Sequence, residues 1–163
     1  MKATAIILAA AAIQGAVADF WMGYMNRVDD TGRDAVTEAG VAFLKDPDIT
    51  CEDDLLGFEI WLNVGDASGS HPGVRMVPGD DVGPPFYRDP LDVVEFNTLG
   101  QKPGHHTIYK SRNYAMVDVN NLKSGQCYLN RTFVYQLDCP TQTDETVHLL
   151  GSSMFFCETE AVL

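Results

Sequence analysis

Four histidines, at positions 71, 105, 106 and 148, are the side chains best placed to exchange a proton near neutral pH. His105 and His106 follow Gly104 and open an extended run. Neighbours on a strand point to opposite faces, so at most one of this pair aims into any given site. As a general base it would need an acidic partner, and Glu95 or Asp118 is at hand. Glu95, His106 and Arg112 lie on consecutive expected strands or their ends. Their convergence would make a small secreted hydrolase such as a ribonuclease. The structural alternative, a histidine that satisfies a turn beside a loop glycine, is the preferred reading, and no catalytic residue is assigned outright. Ser152-Ser153 lacks the flanking glycines of a nucleophile elbow, and HExxH is absent.

Carboxylates gather at Asp29-Asp30, at Asp46, Asp48 and Glu52 to Asp54, and at Asp80-Asp81. The segment DPDITCEDD lacks the sixth-position glycine and twelfth-position glutamate of an EF-hand loop, so it reads as a solvated acidic loop. No metal and no cofactor is expected. Trp21, Trp61, Phe86 and Tyr87 are candidates for a platform that stacks on sugar rings. Phe86 and Tyr87 follow Pro84-Pro85 in a loop, and Trp61 shares the polar face of its run with Glu59 and Asn63. Only a contiguous patch would mark a partner surface. Asn130-Arg131-Thr132 is the sole N-glycosylation sequon and, if occupied, holds its turn at the surface.

The elements that must carry these residues are short β-type runs between turn signals. They are Asp19 to Arg27, Gly57 to Val64, Val93 to Asn97, His106 to Lys110, Tyr114 to Val119, Thr132 to Leu137, Thr146 to Leu149 and Ser153 to Cys157. Such runs argue for a single-domain antiparallel β-sandwich or barrel. At most one short helix is expected, over Asp34 to Ala39, capped by Thr31 or Asp34 and stopped by Gly40; a loop fits those residues equally. Gly65 to Pro90 is rich in glycine and proline, with only Val74 to Val77 as a strand, and reads as a long surface excursion.

The chain has 163 residues and a formal charge of −12. Lys2, an apolar run from Ala3 to Ala12 and Ala16-Val17-Ala18 form the pattern of a secretory signal peptide over residues 1–18. The apolar run is too short to span a bilayer. The expected mature domain, 19–163, then carries 10 basic against 23 acidic residues. Such a field disfavours nucleic acid and membrane surfaces as partners. In an oxidising compartment Cys51, Cys127, Cys139 and Cys157 are expected to form two disulfides, in any of three connectivities.

The order of the motifs DVVEFN, Gly104-His105-His106, YKSRNYAMVDV, Ser124-Gly125-Gln126-Cys127, Asp138-Cys139 and GSSMFFCET resembles a class of small secreted fungal proteins. In that class an aromatic strand also follows the signal, as DFWMGYM does here, and an acidic mid-chain cysteine recurs, as around Cys51. The resemblance implies secretion from a filamentous fungus, a disulfide-bonded β fold and an effector-like role in virulence. In size, signal and β content the chain is also similar to the allergen and elicitor family typified by the major Alternaria allergen. The resulting expectation is a secreted protein that binds a host protein or a cell-wall glycan, with the small hydrolase as the alternative.

Overall fold

A computed structural model of the chain describes residues 18–30, 36–51, 60–62, 64–77, 91–101, 103–140 and 146–159. Among these residues ten strands run in chain order. They are β1 (Ala18–Asp30), β2 (Val36–Leu44), β3 (Ile60–Leu62), β4 (Gly73–Val77), β5 (Val93–Asn97), β6 (His105–Tyr109), β7 (Ala115–Asp118), β8 (Lys123–Leu129), β9 (Val134–Pro140) and β10 (Thr146–Thr159). A 3₁₀ turn, Lys110–Arg112, links β6 to β7. The fold is mainly β, as expected. All pairings are antiparallel, in the order β3-β2-β1-β10-β8-β7-β6-β5-β4, with β9 paired to β10 beside this path. The sheet nearly closes on itself, because the Val64 N–H donates to the Val74 carbonyl at 2.8 Å across the gap between β3 and β4. Gly73, at φ +131°, permits that approach, since a β-carbon there would lie 2.9 Å from the Leu62 carbonyl oxygen.

The barrel interior follows from the period-two alternation of its strands. Phe20, Met22 and Tyr24 of β1 meet Val41, Val74, Val94, Phe96, Ile108, Met116 and Phe155. Phe43 and Phe96 touch at 4.9 Å between ring centroids, and Phe20 meets Phe96 edge-on at 6.4 Å. A second apolar cluster, including Met25, Ala42, Leu44, Tyr135, Val147 and Leu149, lies on the outer face of β1, β2, β9 and β10. Ile49 packs against it from the segment after β2, which the Cys51–Cys139 disulfide ties down. Cys127 and Cys157 are directly opposite on β8 and β10 and form the second disulfide. One of the three possible connectivities is thereby realised.

Residues 36–39, within the run expected as a helical turn or loop, form the start of β2. Val36, Thr37 and Val41 favour extended backbone. Gly40 serves sheet packing, because any β-carbon there would overlap the Trp61 carbonyl. The two runs expected at 146–149 and 153–157 are one strand, interrupted by a bulge opposite Met22 and Gly23. The expected signal peptide (apart from Ala18, the first residue of β1), Phe86, Tyr87 and the cap candidates Thr31 and Asp34 lie outside the described residues.

Two stability predictions follow from these clusters. The Cys51–Cys139 bridge spans 88 residues and Cys127–Cys157 spans 30. Paired Cys→Ser replacement of the first is expected to cost about 4.5 kcal/mol and of the second about 3.5 kcal/mol on chain-entropy grounds, measured by urea unfolding. Tyr135 is 4% exposed, its hydroxyl has no hydrogen-bond partner among the described residues, and burial together with the nearby Asp46 charge pushes its phenol up to about 12. The folded state holds that proton more tightly than the unfolded state does. The associated stability is intact below pH ~10 and is lost as pH rises towards 12. Tyr135→Phe is expected to retain or raise stability at pH 8, by up to about 1 kcal/mol, and to flatten the alkaline loss in the same unfolding assay.

Candidate functional site

The pairing of β5 with β6 sets Glu95 opposite Thr107 and Phe96 opposite His106. Alternation then sends Arg75, Glu95, His105, Thr107 and Tyr109 to the outer wall, and Phe96, His106 and Ile108 to the interior. His106 is only 9% exposed and packs against the Phe96 ring at 5.7 Å. Its Nε2–H donates to the Pro103 carbonyl at 2.9 Å, and its Nδ1 accepts from the Ser124 hydroxyl at 2.9 Å. Together with Thr98, which accepts the Gly104 N–H at 2.9 Å, it clamps the β5–β6 loop. His106 is a buried strand residue whose ring ties down the adjoining turn.

Arg112, on the 3₁₀ turn, donates to Asn121 Oδ1 at 2.6 Å and lies 4.8 Å over the Tyr109 ring. Glu95, His106 and Arg112 therefore do not converge: one faces outward, one inward, and the third is engaged elsewhere. Asp118 is the register partner of His106. Its carboxylate, however, accepts the N–H groups of Leu122 at 2.8 Å and Asn120 at 2.9 Å. These bonds, the Leu122 one foremost, hold the carboxyl below its usual range.

The partner of Glu95 is His105. His105 Nε2 lies 3.3 Å from Glu95 Oε1, and Arg75 Nη1 donates to Glu95 Oε2 at 3.2 Å. The half-buried carboxylate thus orients an imidazole and a guanidinium at the edge of an open concavity of about 590 Å³. Its walls include Ser68, His105, Thr107, Tyr109, Val117 and Asn121, a mixture of hydroxyl, amide, imidazole and ring surfaces. Such a surface can hydrogen-bond and stack a polyhydroxylated ligand.

Further round the wall, β1, β10 and β8 set Trp21, Phe156 and Tyr128 side by side in register on the outer face. Trp21 and Phe156 are 4.9 Å apart, and Phe133 meets Trp21 edge-on at 5.0 Å. Tyr128 is 48% exposed, and its hydroxyl donates to Glu158 at 3.2 Å. Beside this aromatic row Asp19, Glu158 and Gln126 form a second, polar row in the same register.

Of the aromatic residues expected at a binding surface, Trp21 joins this row. Trp61 does not: it pairs with Val41 and packs on the interior cluster, while Leu62 is the exposed residue of β3. Its large apolar ring fills the barrel where β3 and β4 meet, so the polar neighbours in sequence misplace its face. Asn130 sits between β8 and β9, where its Oδ1 accepts the Thr132 N–H at 3.1 Å. Tyr128 is hard to read from sequence because KSGQCYL carries few strand formers, and Phe156, although in an expected strand, acquires its outward neighbours only from the pairing of β10 with β1 and β8. A strand register beginning at His105 would have singled out His105 and Tyr109.

Burial lowers the His106 pKa below 6.5. The neutral imidazole is the form the fold prefers, so its stabilising contribution is full above pH ~6.5 and is lost as the pH falls below that. His106→Gln is expected to lower stability at pH 7 by about 1–2 kcal/mol and to give a shallower loss between pH 7 and 5 than the unmodified protein, read by urea unfolding.

No protein-family model matches the chain, and no curated protein and no solved structure matches it significantly.

Proposed function

We propose that the protein acts outside the cell in an effector- or elicitor-like manner, by binding a neutral glycan of a cell wall or host surface. The observation that carries this reading is the alignment of Trp21, Phe156 and Tyr128 across three adjacent strands of the outer wall. Aromatic faces stack on the apolar faces of sugar rings, and carboxylates and amides beside them accept and donate to hydroxyl groups. Asp19, Glu158 and Gln126 provide that fringe.

The charge supports a neutral partner: 23 acidic against 11 basic residues repel polyanions. Two disulfides fit an oxidising compartment. Among the described residues no helix is long and apolar enough to cross a membrane. A hydrolase built on Glu95, His106 and Arg112 draws no support from their placement.

The test is sedimentation of the purified protein with insoluble β-glucan, chitin and mannan, followed by titration with soluble fragments of whichever retains it. Tyr128→Ala is expected to weaken binding about tenfold, or about 1.4 kcal/mol, the size of one lost ring contact. Its thermal melting should stay close to that of the parent, because Tyr128 is largely exposed. Retention on none of the three polymers would defeat the proposal.

A further inference from the structure

The concavity and the aromatic row are joined by one line of residues. Tyr109 pairs with Ala115, Ala115 with Gln126, Gln126 with Glu158, and Glu158 with Asp19. These five side chains share the outer face and cross β6, β7, β8, β10 and β1 in succession. At about 4.8 Å per strand the line is about 19 Å long. Tyr109 lines the concavity at one end. At the other end the Tyr128 hydroxyl is bonded to Glu158, so the aromatic row flanks the line along three strands. Ala115, at its second step, is the one side chain too small to obstruct anything lying along it. Gln126 is held in place by bonds to the Asn113 carbonyl at 2.6 Å and from Lys123 at 3.2 Å.

We propose that these features form a single extended track for one chain of a neutral polysaccharide. The chain would run across the strands from the concavity at Tyr109 to the rings of Tyr128, Phe156 and Trp21. This rests on the glycan reading above and adds to it a polymer, a direction and a length. The track follows the convex wall of a barrel, so it suits a flexible or curved chain over a flat crystalline face. Its carboxylates, Glu158 and Asp19, meet hydroxyl groups and turn away polyuronates and nucleic acids.

Calorimetric titration of the intact protein with β-glucan and mannan oligosaccharides, from mono- to hexasaccharide, tests the track. Affinity for at least one series is expected to climb at least tenfold between the disaccharide and the hexasaccharide. Ala115→Trp, which plants a large ring in the middle of the track, should cut hexasaccharide affinity at least tenfold and so flatten the rise of affinity with length. Glu158→Gln, which keeps the shape and removes the charge, should preserve the length dependence and admit an oligouronide probe. Affinity independent of length, or a hexasaccharide indifferent to a folded Ala115→Trp variant, overturns the track. The glycan reading would survive that result if Tyr128→Ala still weakened binding, and would fall with the track if no oligosaccharide bound.

Discussion

The architecture depends on one additional residue in β10. Met22 pairs with Phe155 and Gly23 with Ser153, which leaves Met154 without an opposite number on β1. On one side of that bulge Phe155 and Cys157 point into the barrel; on the other Val147 and Leu149 point out of it. A single strand therefore serves two apolar clusters on opposite faces of the sheet. Shifting the register of a strand by one residue exchanges its faces, and here the exchange is used rather than avoided. Met154 is itself buried, so the irregularity is packed into the interior and not left as a surface defect.

The outer cluster explains why the aromatic row exists. Beside β2 and β9 that face is covered by the segment carrying Ile49 and Cys51. Towards β8 the cover ends, and the same face continues as the half-buried Trp21 and Phe156 and the exposed Tyr128. Ring surface that would otherwise belong to a core is thereby offered to solvent. On the neighbouring wall Glu95, bonded to Arg75 and to the His105 ring, forms a cross-strand ladder that stiffens β4 to β6 while orienting the imidazole.

Much of the fold was legible as local alternation. Val93–Asn97 is legible without error, six other strands to within a few residues and β10 as two separate runs, because β-branched and aromatic side chains mark them. Two strands were not. β2 reads like a capped helical turn because TEAG is a plausible helix end, and only the approach of Trp61 reveals that Gly40 is there to admit a neighbouring backbone. β8, with Lys, Ser, Gly and Gln, is a strand by virtue of its partners and its disulfide. The site shared that fate. The sequence narrowed the choice to His105 or His106 beside Glu95, but which of them faced outward turned on a register that begins one residue earlier than alternation alone suggests. Trp61 shows the same limit, since its face was set by barrel closure between β3 and β4.

The pairing of β1 with β10 joins Ala18 to Thr159 and Asp30 to Thr146, so the two ends of the described chain are hydrogen-bonded neighbours. Contacts this distant in sequence are slow to form, since the loop they close must surrender its entropy first. As the chain emerges from its amino end, the apolar β1 has no long partner on one edge until the last strand arrives. Among the described strands, β1 therefore completes its pairing only when β10 is available. Until then Phe20, Met22 and Tyr24 lack the Phe155 and Cys157 side chains that lie against them in the closed barrel.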